Sequence, residues 1–196
     1  MASPQLGNTQ DIALRTWLRA RGIPGEGGPG GVQVTPLANA DILSLFARGD
    51  LAGAWVPEPW AARMVAAGGR ILVDERTLWP AGRFPTAVLV VGTRALTRKR
   101  ALVLDLVRAH VELTERWRKD PVSFGRAANG AYGRATGKPL PDEVLRDAFS
   151  RVEPTSDPLA PQLAEQARQA QALGYAPAGD LSGMVDASLL AEVARR

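Results

Sequence analysis

Residues 3–22 read SPQLGNTQDIALRTWLRARG, and their pattern decides the fold. A loop around Gly7 runs into a helix expected from Thr9 to Arg21. Asn8 or Thr9 supplies the N-cap and Asp11 suits the first turn. Ile12, Leu14, Trp17 and Leu18 form the apolar stripe. A helix entrance of this kind often sits just after a strand and just above a ligand. Few residues precede it here, so the opening strand is missing or reduced to ASPQL.

The alternation continues outward. GIPGEGGPGG (22–31) reads as a flexible surface loop. VQVTPL (32–37) is a short strand. NADILSLFARGDL (39–51) is an amphipathic helix capped by Asn39 or Asp41, with Ile42, Leu45 and Phe46 apolar, ended by Gly49. AGAWVP (52–57) is an apolar strand. EPWAARMVAAGG (58–69) is a helix with Pro59 in its first turn, stopped by Gly68 and Gly69. RILVDE (70–75) is another strand. Helix and strand in turn predict a largely parallel sheet with covering helices, an α/β class.

TAVLVVG (86–92) is the most β-like run of the chain. After it the pattern becomes helical. One long helix is expected from Arg98 to Lys119, with Leu102, Leu106, Ala109, Leu113 and Trp117 on its apolar side. Further helices are expected near Val122–Arg134, Pro141–Ser150, Leu159–Leu173 and Ala187–Arg195. The division is therefore 1–85, with the sheet, and 86–196, a feeding strand and helices that need another surface to cover.

The chain has 196 residues, 45% of them hydrophobic, enough for one domain or two small lobes. Its net charge of +4 is modest. The densest basic run, RALTRKR (94–100), lies at a helix start without interleaved aromatics, which argues against nucleic-acid binding. The absence of cysteine excludes disulfides, thiolate metal sites and cysteine nucleophiles. No run suits a membrane span or a signal peptide, so the chain as written is expected in the cytoplasm.

Two corners carry chemistry. In QLGNTQD (5–11), backbone N–H groups at a helix start suit an anionic head group. Gly7 would let a ligand approach the backbone, with the Thr9 hydroxyl and Gln10 amide adding hydrogen bonds beside Asn8. The plain alternative is ordinary capping. In WVPEPWAARM (55–64), Trp55 ends a strand and Glu58 lies on the turn into the next helix, where open α/β sheets bind ligands. Trp55 would pack on an alkyl chain and Glu58 would accept from an ammonium. The plain alternative makes Trp55 and Trp60 core and Glu58 a helix-start carboxylate. LANAD (37–41) forms a third corner on the same side of the sheet.

No catalytic, metal-binding or cofactor site is expected. His110, the single histidine, lies mid-helix. Asp74/Glu75 and Asp142/Glu143 are sequence neighbours that do not face one another. There is no GxSxG, no Walker loop and no HExxH.

PQLGNTQDIALRTWL (4–18), PLANADILSLFARGDLAGAWVPEPWAARM (36–64), ILVDERTLWPAGRFPTAVLVV (71–91) and TGKPLPDEVLRDAFSRVEPTSDPL (136–159) together resemble the solute-binding proteins of ABC importers for aliphatic sulfonates, close to nitrate and taurine binders. The ending GMVDASLL (183–190) fits as well. The resemblance implies a type II periplasmic-binding-protein fold with the ligand in a cleft between two lobes. The closed form would be presented to an ABC permease in the membrane. By position, Gly7, Asn8, Thr9 and Gln10 match the cleft-facing helix start, Trp55 and Glu58 the second cleft corner, and TAVLVVG the strand returning across the hinge. The implied ligand is a small anionic solute (alkanesulfonate, taurine or nitrate), bound by a monomer without turnover or cofactor.

Family members are longer and begin with a signal peptide or lipoprotein anchor, which places them in the periplasm or at the cell surface. Against them this chain reads as N-terminally truncated, 1–85 being the second, inserted lobe and 86–196 the return strand and helices of an incomplete first lobe. Its later helices would then leave apolar faces wet, at about 1.5–3 kcal/mol for each large side chain. Two alternatives accompany this reading: a non-binding remnant of such a protein, and an enzyme on the same fold, like relatives in thiamine-pyrimidine synthesis or desulfination.

Overall fold

The computed structural model describes residues 1–195. The chain divides into two compact units. The first is Met1–Thr86 with Pro161–Asp180, and the second is Ala87–Ala160 with the residues from Leu181 onward. The sequence reading divides the chain once, into 1–85 and 86–196. A single cut does not provide for the return of 161–180 to the first unit.

The first unit is built on a small parallel sheet. Strand β1 (Ala2–Pro4) pairs with β2 (Thr35–Leu37), Ala2 opposite Thr35 and Pro4 opposite Leu37. Along its other edge, Ala2 donates its N–H to the Gly53 carbonyl and accepts from the Trp55 N–H, both at 3.0 Å. The opening strand is therefore present and central, as short as ASPQL suggests. AGAWVP contributes only one parallel bridge, at Ala54, where a full strand was expected. Gly53 and Pro57 confine it, one weak in strands and the other without an N–H.

Helices cover both faces of this sheet. Helix α1 (Thr9–Arg19) lies on one, and α2 (Asn39–Ala47) and α3 (Trp60–Ala66) on the other. Neighbouring strand residues point to opposite faces and sort accordingly. Ala2 joins Ile42 and Met64, with Leu37, Ala54 and Val56 beside them. Ser3 turns to Asp11 of α1, and Trp55 packs with Leu14, Leu18 and Val34. Burying Leu14, Leu18 and Ile42 stabilises the unit by about 1.5–3 kcal/mol each.

Two expectations change in this unit. GIPGEGGPGG is not a loose loop: Val32 and Val34 donate to the Pro24 and Gly25 carbonyls at 2.7 and 3.2 Å, and Glu26 bridges Gln33 antiparallel. Gly31 is required there, because a Cβ would come within 2.5 Å of the Gly27 carbonyl oxygen. RILVDE is not a strand. Leu72 is 76% exposed, and Asp74 instead caps a 3-10 turn, Glu75–Leu78, by accepting from the Arg76 N–H at 3.0 Å.

The second unit is helical: α4 (Thr93–Arg98), α5 (Arg100–Lys119), α6 (Pro121–Thr136), α7 (Asp142–Phe149) and, after α8 (Ala160–Ala172) has joined the first unit, α9 (Ser188–Ala194). Asp120 caps α6 through the Ser123 N–H, and Asn129 clamps Leu140 with a reciprocal pair of bonds at 2.8 and 2.9 Å. The core is Val103, Leu104 and Leu189, with Val107 and Val193 packed against it.

Here too the sequence reading is corrected. TAVLVVG forms no strand, and Val90 is 83% exposed. A β-prone run needs a neighbouring strand to complete its ladder, and none pairs with it among the described residues. The stripe Leu102, Leu106, Ala109, Leu113 is exposed. α5 packs instead through Val103, Leu104, Val107 and Thr114. Apolar residues populate two adjacent faces of this helix, so periodicity alone offers two solutions. The architecture is mixed α/β, helix-rich with a small parallel sheet, in keeping with the periplasmic-binding-protein-like class. No described helix is long and apolar enough to cross a membrane.

Candidate functional site

Parallel pairing fixes where the corners lie. β1, β2 and the Ala54 segment all run the same way, so the loops leaving them emerge at one end of the sheet. The spatial order is β2, β1, Ala54 segment. The chain steps from β1 to one side, then crosses back to the other. That reversal is a topological switch point, between β1 and the Ala54 segment, where α/β sheets bind ligands beyond the strand carboxyl ends.

The first corner is organised by Asp11, which is fully buried. Its carboxylate accepts from the Ser3 hydroxyl at 2.5 Å, the Gly7 N–H at 2.9 Å, and the Arg15 Nε at 3.1 and 3.0 Å. The Gly7 N–H is therefore committed within the protein. Gly7 has φ +74°, and a Cβ there would lie 3.3 Å from the Tyr175 ring. Asn8 caps α1, its Oδ1 accepting from the Asp11 N–H at 2.9 Å. The Thr9 hydroxyl donates to the Gln10 Oε1 at 3.1 Å. Among the described residues, the Thr9 and Gln10 backbone N–H groups have no acceptor, as first-turn donors do not within a helix.

At the second corner Trp55 is half-buried. Its ring lies 6.0 Å from that of Trp17, tilted by 55°, and its Nε1 donates to the Glu75 Oε2 at 2.7 Å. Glu58 accepts from the Ala62 N–H at 3.1 Å and so supports the start of α3. Trp60 is half-buried under the Arg63 guanidinium, 4.5 Å from its ring centroid. At the third corner α2 begins at Asn39 behind Ala38, which provides no side-chain cap, where Asn39 or Asp41 was expected to cap it.

Four residues of this region were not singled out as site residues: Asp11, Arg15, Glu75 and Tyr175. Arg15 and Asp11 stand at helical i,i+4 spacing, a readable signal. Glu75 lies beside Asp74 in sequence, yet its partners are indoles: Trp55, and Trp79 Nε1 at 3.3 Å. Burial raises its carboxyl above the usual glutamate value, both indole bonds oppose the rise, and Asp74 adds to it. Tyr175 has no local signal; it reaches Gly7 because α8 returns to the first unit, where Arg19 also donates to the Ala172 carbonyl at 3.0 Å.

The arrangement offers donors and aromatic surface. Its hydroxyl–carboxylate pair, Ser3 with Asp11, is fully buried, and no described group of His, Asp and Glu could hold a metal ion. His110 lies in the second unit, exposed, its Nε2 3.0 Å from the Thr155 carbonyl oxygen. Residues 1–128, which include all three corners, match the NMT1-like family. No curated protein and no solved structure matches the chain.

Proposed function

Because the chain belongs to the NMT1-like family, we propose that it is the substrate-binding component of an ABC importer, taking a small organic anion at the switch point without turnover. The family match supports the sulfonate, nitrate and taurine binding-protein grouping. The observation that carries the site is the parallel register of β1 with the Ala54 segment, which sets the Gly7–Gln10 and Trp55–Glu58 corners at one sheet end. The Thr9 and Gln10 N–H groups supply positive potential for the head group. Trp55 supplies apolar surface for its tail. In this reading Glu58 faces the ammonium of taurine, the partner is a membrane permease, and the protein works as a monomer in the periplasm or at the cell surface.

Calorimetry with an alkanesulfonate series, taurine and nitrate tests the proposal. Saturable heat with at least one member is expected. No heat and no thermal shift across the panel would overturn it, and turnover of a sulfinate to product would favour the enzyme reading instead.

A further inference from the structure

We propose that Glu75 is a positioning residue that locks the Trp55 ring at the ligand-facing corner, through a carboxylate shared between two indole N–H groups. The proposal rests on the ligand-binding reading above. Trp55 donates to one carboxylate oxygen at 2.7 Å and Trp79 to the other at 3.3 Å. Trp79 is itself fixed by stacking on Phe84, centroids 5.7 Å apart and planes within 16°. The Trp55 ring is thus held at its N–H edge by Glu75 and packs beside the tilted ring of Trp17. The contrast with Trp17 is informative: its Nε1 is buried with no hydrogen-bond partner among the described residues.

These two contacts are neutral donors to a charge. A carboxylate taken out of water this way carries a desolvation cost, visible in its raised pKa. Packing alone would be served more cheaply by a neutral side chain of similar volume. What the charge adds is direction, since charge-assisted bonds are shorter and about twice as strong as neutral ones. It also removes the Trp55 N–H from the donors a ligand can use, so the indole meets solute with ring surface only.

Indole N–H resonances of the whole protein, assigned with Trp55→Phe and Trp79→Phe, test the hold directly. The Trp55 indole proton is expected to exchange slowly in the wild type. Glu75→Gln, whose single amide oxygen can accept from Trp55 only while its NH2 faces the Trp79 N–H, should keep it partly slowed; Glu75→Leu should not keep it slow. Calorimetry with methanesulfonate, taurine and nitrate reads the consequence. Glu75→Leu should weaken whichever anion binds by about tenfold, the low end for a bond to a charged group, and Glu75→Gln should recover part of it. Trp55→Phe and Glu75→Leu should be non-additive in combination. An unaltered Trp55 resonance in Glu75→Leu, or affinity loss in Glu75→Gln equal to that in Glu75→Leu, would overturn the proposal. A wild-type protein that binds none of the three anions would sink the functional reading, while the indole spectra would still decide whether Glu75 holds Trp55.

Discussion

The Ser3 hydroxyl donates to the Asp11 carboxylate across 2.5 Å, joining the central strand to the helix that follows it. The same carboxylate holds the Gly7 N–H and the Arg15 guanidinium, so one buried side chain sets the path of the whole first corner. Asp11→Ala leaves Arg15, whose side chain is only 16% exposed, without its counter-charge. A loss of about 3 kcal/mol is expected, against about 1 kcal/mol for Ser3→Ala. Urea unfolding of the two variants checks the ratio; equal losses would refute it.

Gly7 combines a left-handed backbone with close approach of Tyr175. Gly7→Ala should cost about 1–2 kcal/mol. Adding Tyr175→Ala removes the contact but not the backbone strain, so only part of that penalty should disappear. Melting curves of Gly7→Ala in wild-type and Tyr175→Ala backgrounds measure the two parts.

Glu75 and two aspartates near helix starts, Asp120 and Asp186, respond to pH with opposite sign. Burial raises the Glu75 carboxyl in the folded state. Folded protein then keeps a proton that the unfolded chain has released, so stability from this group falls as pH rises from about 4.3 through the raised value. Relative to Glu75→Gln, the wild type should therefore lose ground across that window. Urea midpoints of both proteins from about pH 4 to about pH 7 test it; parallel curves would refute it.

Asp120 and Asp186 are held below the usual aspartate value, mainly by hydrogen bonds from Ser123 and Ser188 at the starts of α6 and α9. Their contribution is present above the ordinary aspartate pKa and is lost as pH falls through the lowered one. Asp120→Asn and Asp186→Asn should flatten the acid limb of unfolding, in the pH range below that where Glu75 acts. An unchanged acid limb would count against both hydrogen-bonded aspartates.

The two faces of α5 make a direct comparison. Leu104→Ala should cost about 2 kcal/mol or more, since Leu104 is buried with Val103 and Leu189. Leu102→Lys and Leu106→Lys, on the exposed stripe, should each stay within about 0.5 kcal/mol. The reverse order would show that the stripe at 102 and 106 is the buried one.

What the sequence revealed depended on how local the cause was. The cap at Asn8 and the helix that starts at Thr9 follow from neighbours within a few residues, while the parallel order of the three corners was read from the alternation of helix and strand. TAVLVVG failed because a strand exists only through its partner, and RILVDE because Asp74 found a tighter local bond in the Arg76 N–H. Within the candidate site, the capping role of Asn8 and the helix-start role of Glu58 were visible as the plain alternatives to ligand contact. The indole clamp at Glu75 joins residues 55, 75 and 79, and the Gly7–Tyr175 contact joins two ends of the unit, so neither leaves a periodic trace.

Arg19 and the Ala172 carbonyl meet although they stand 153 positions apart in the chain. During vectorial synthesis the β1–α1 module must therefore wait, its Tyr175-facing side uncovered, until residues 172–175 have left the ribosome. Late closure of this kind slows maturation, because distant contacts are rewarded only after a long loop is drawn in. A premature stop before residue 161 would then release a chain whose sheet can pair but whose first corner lacks its lid.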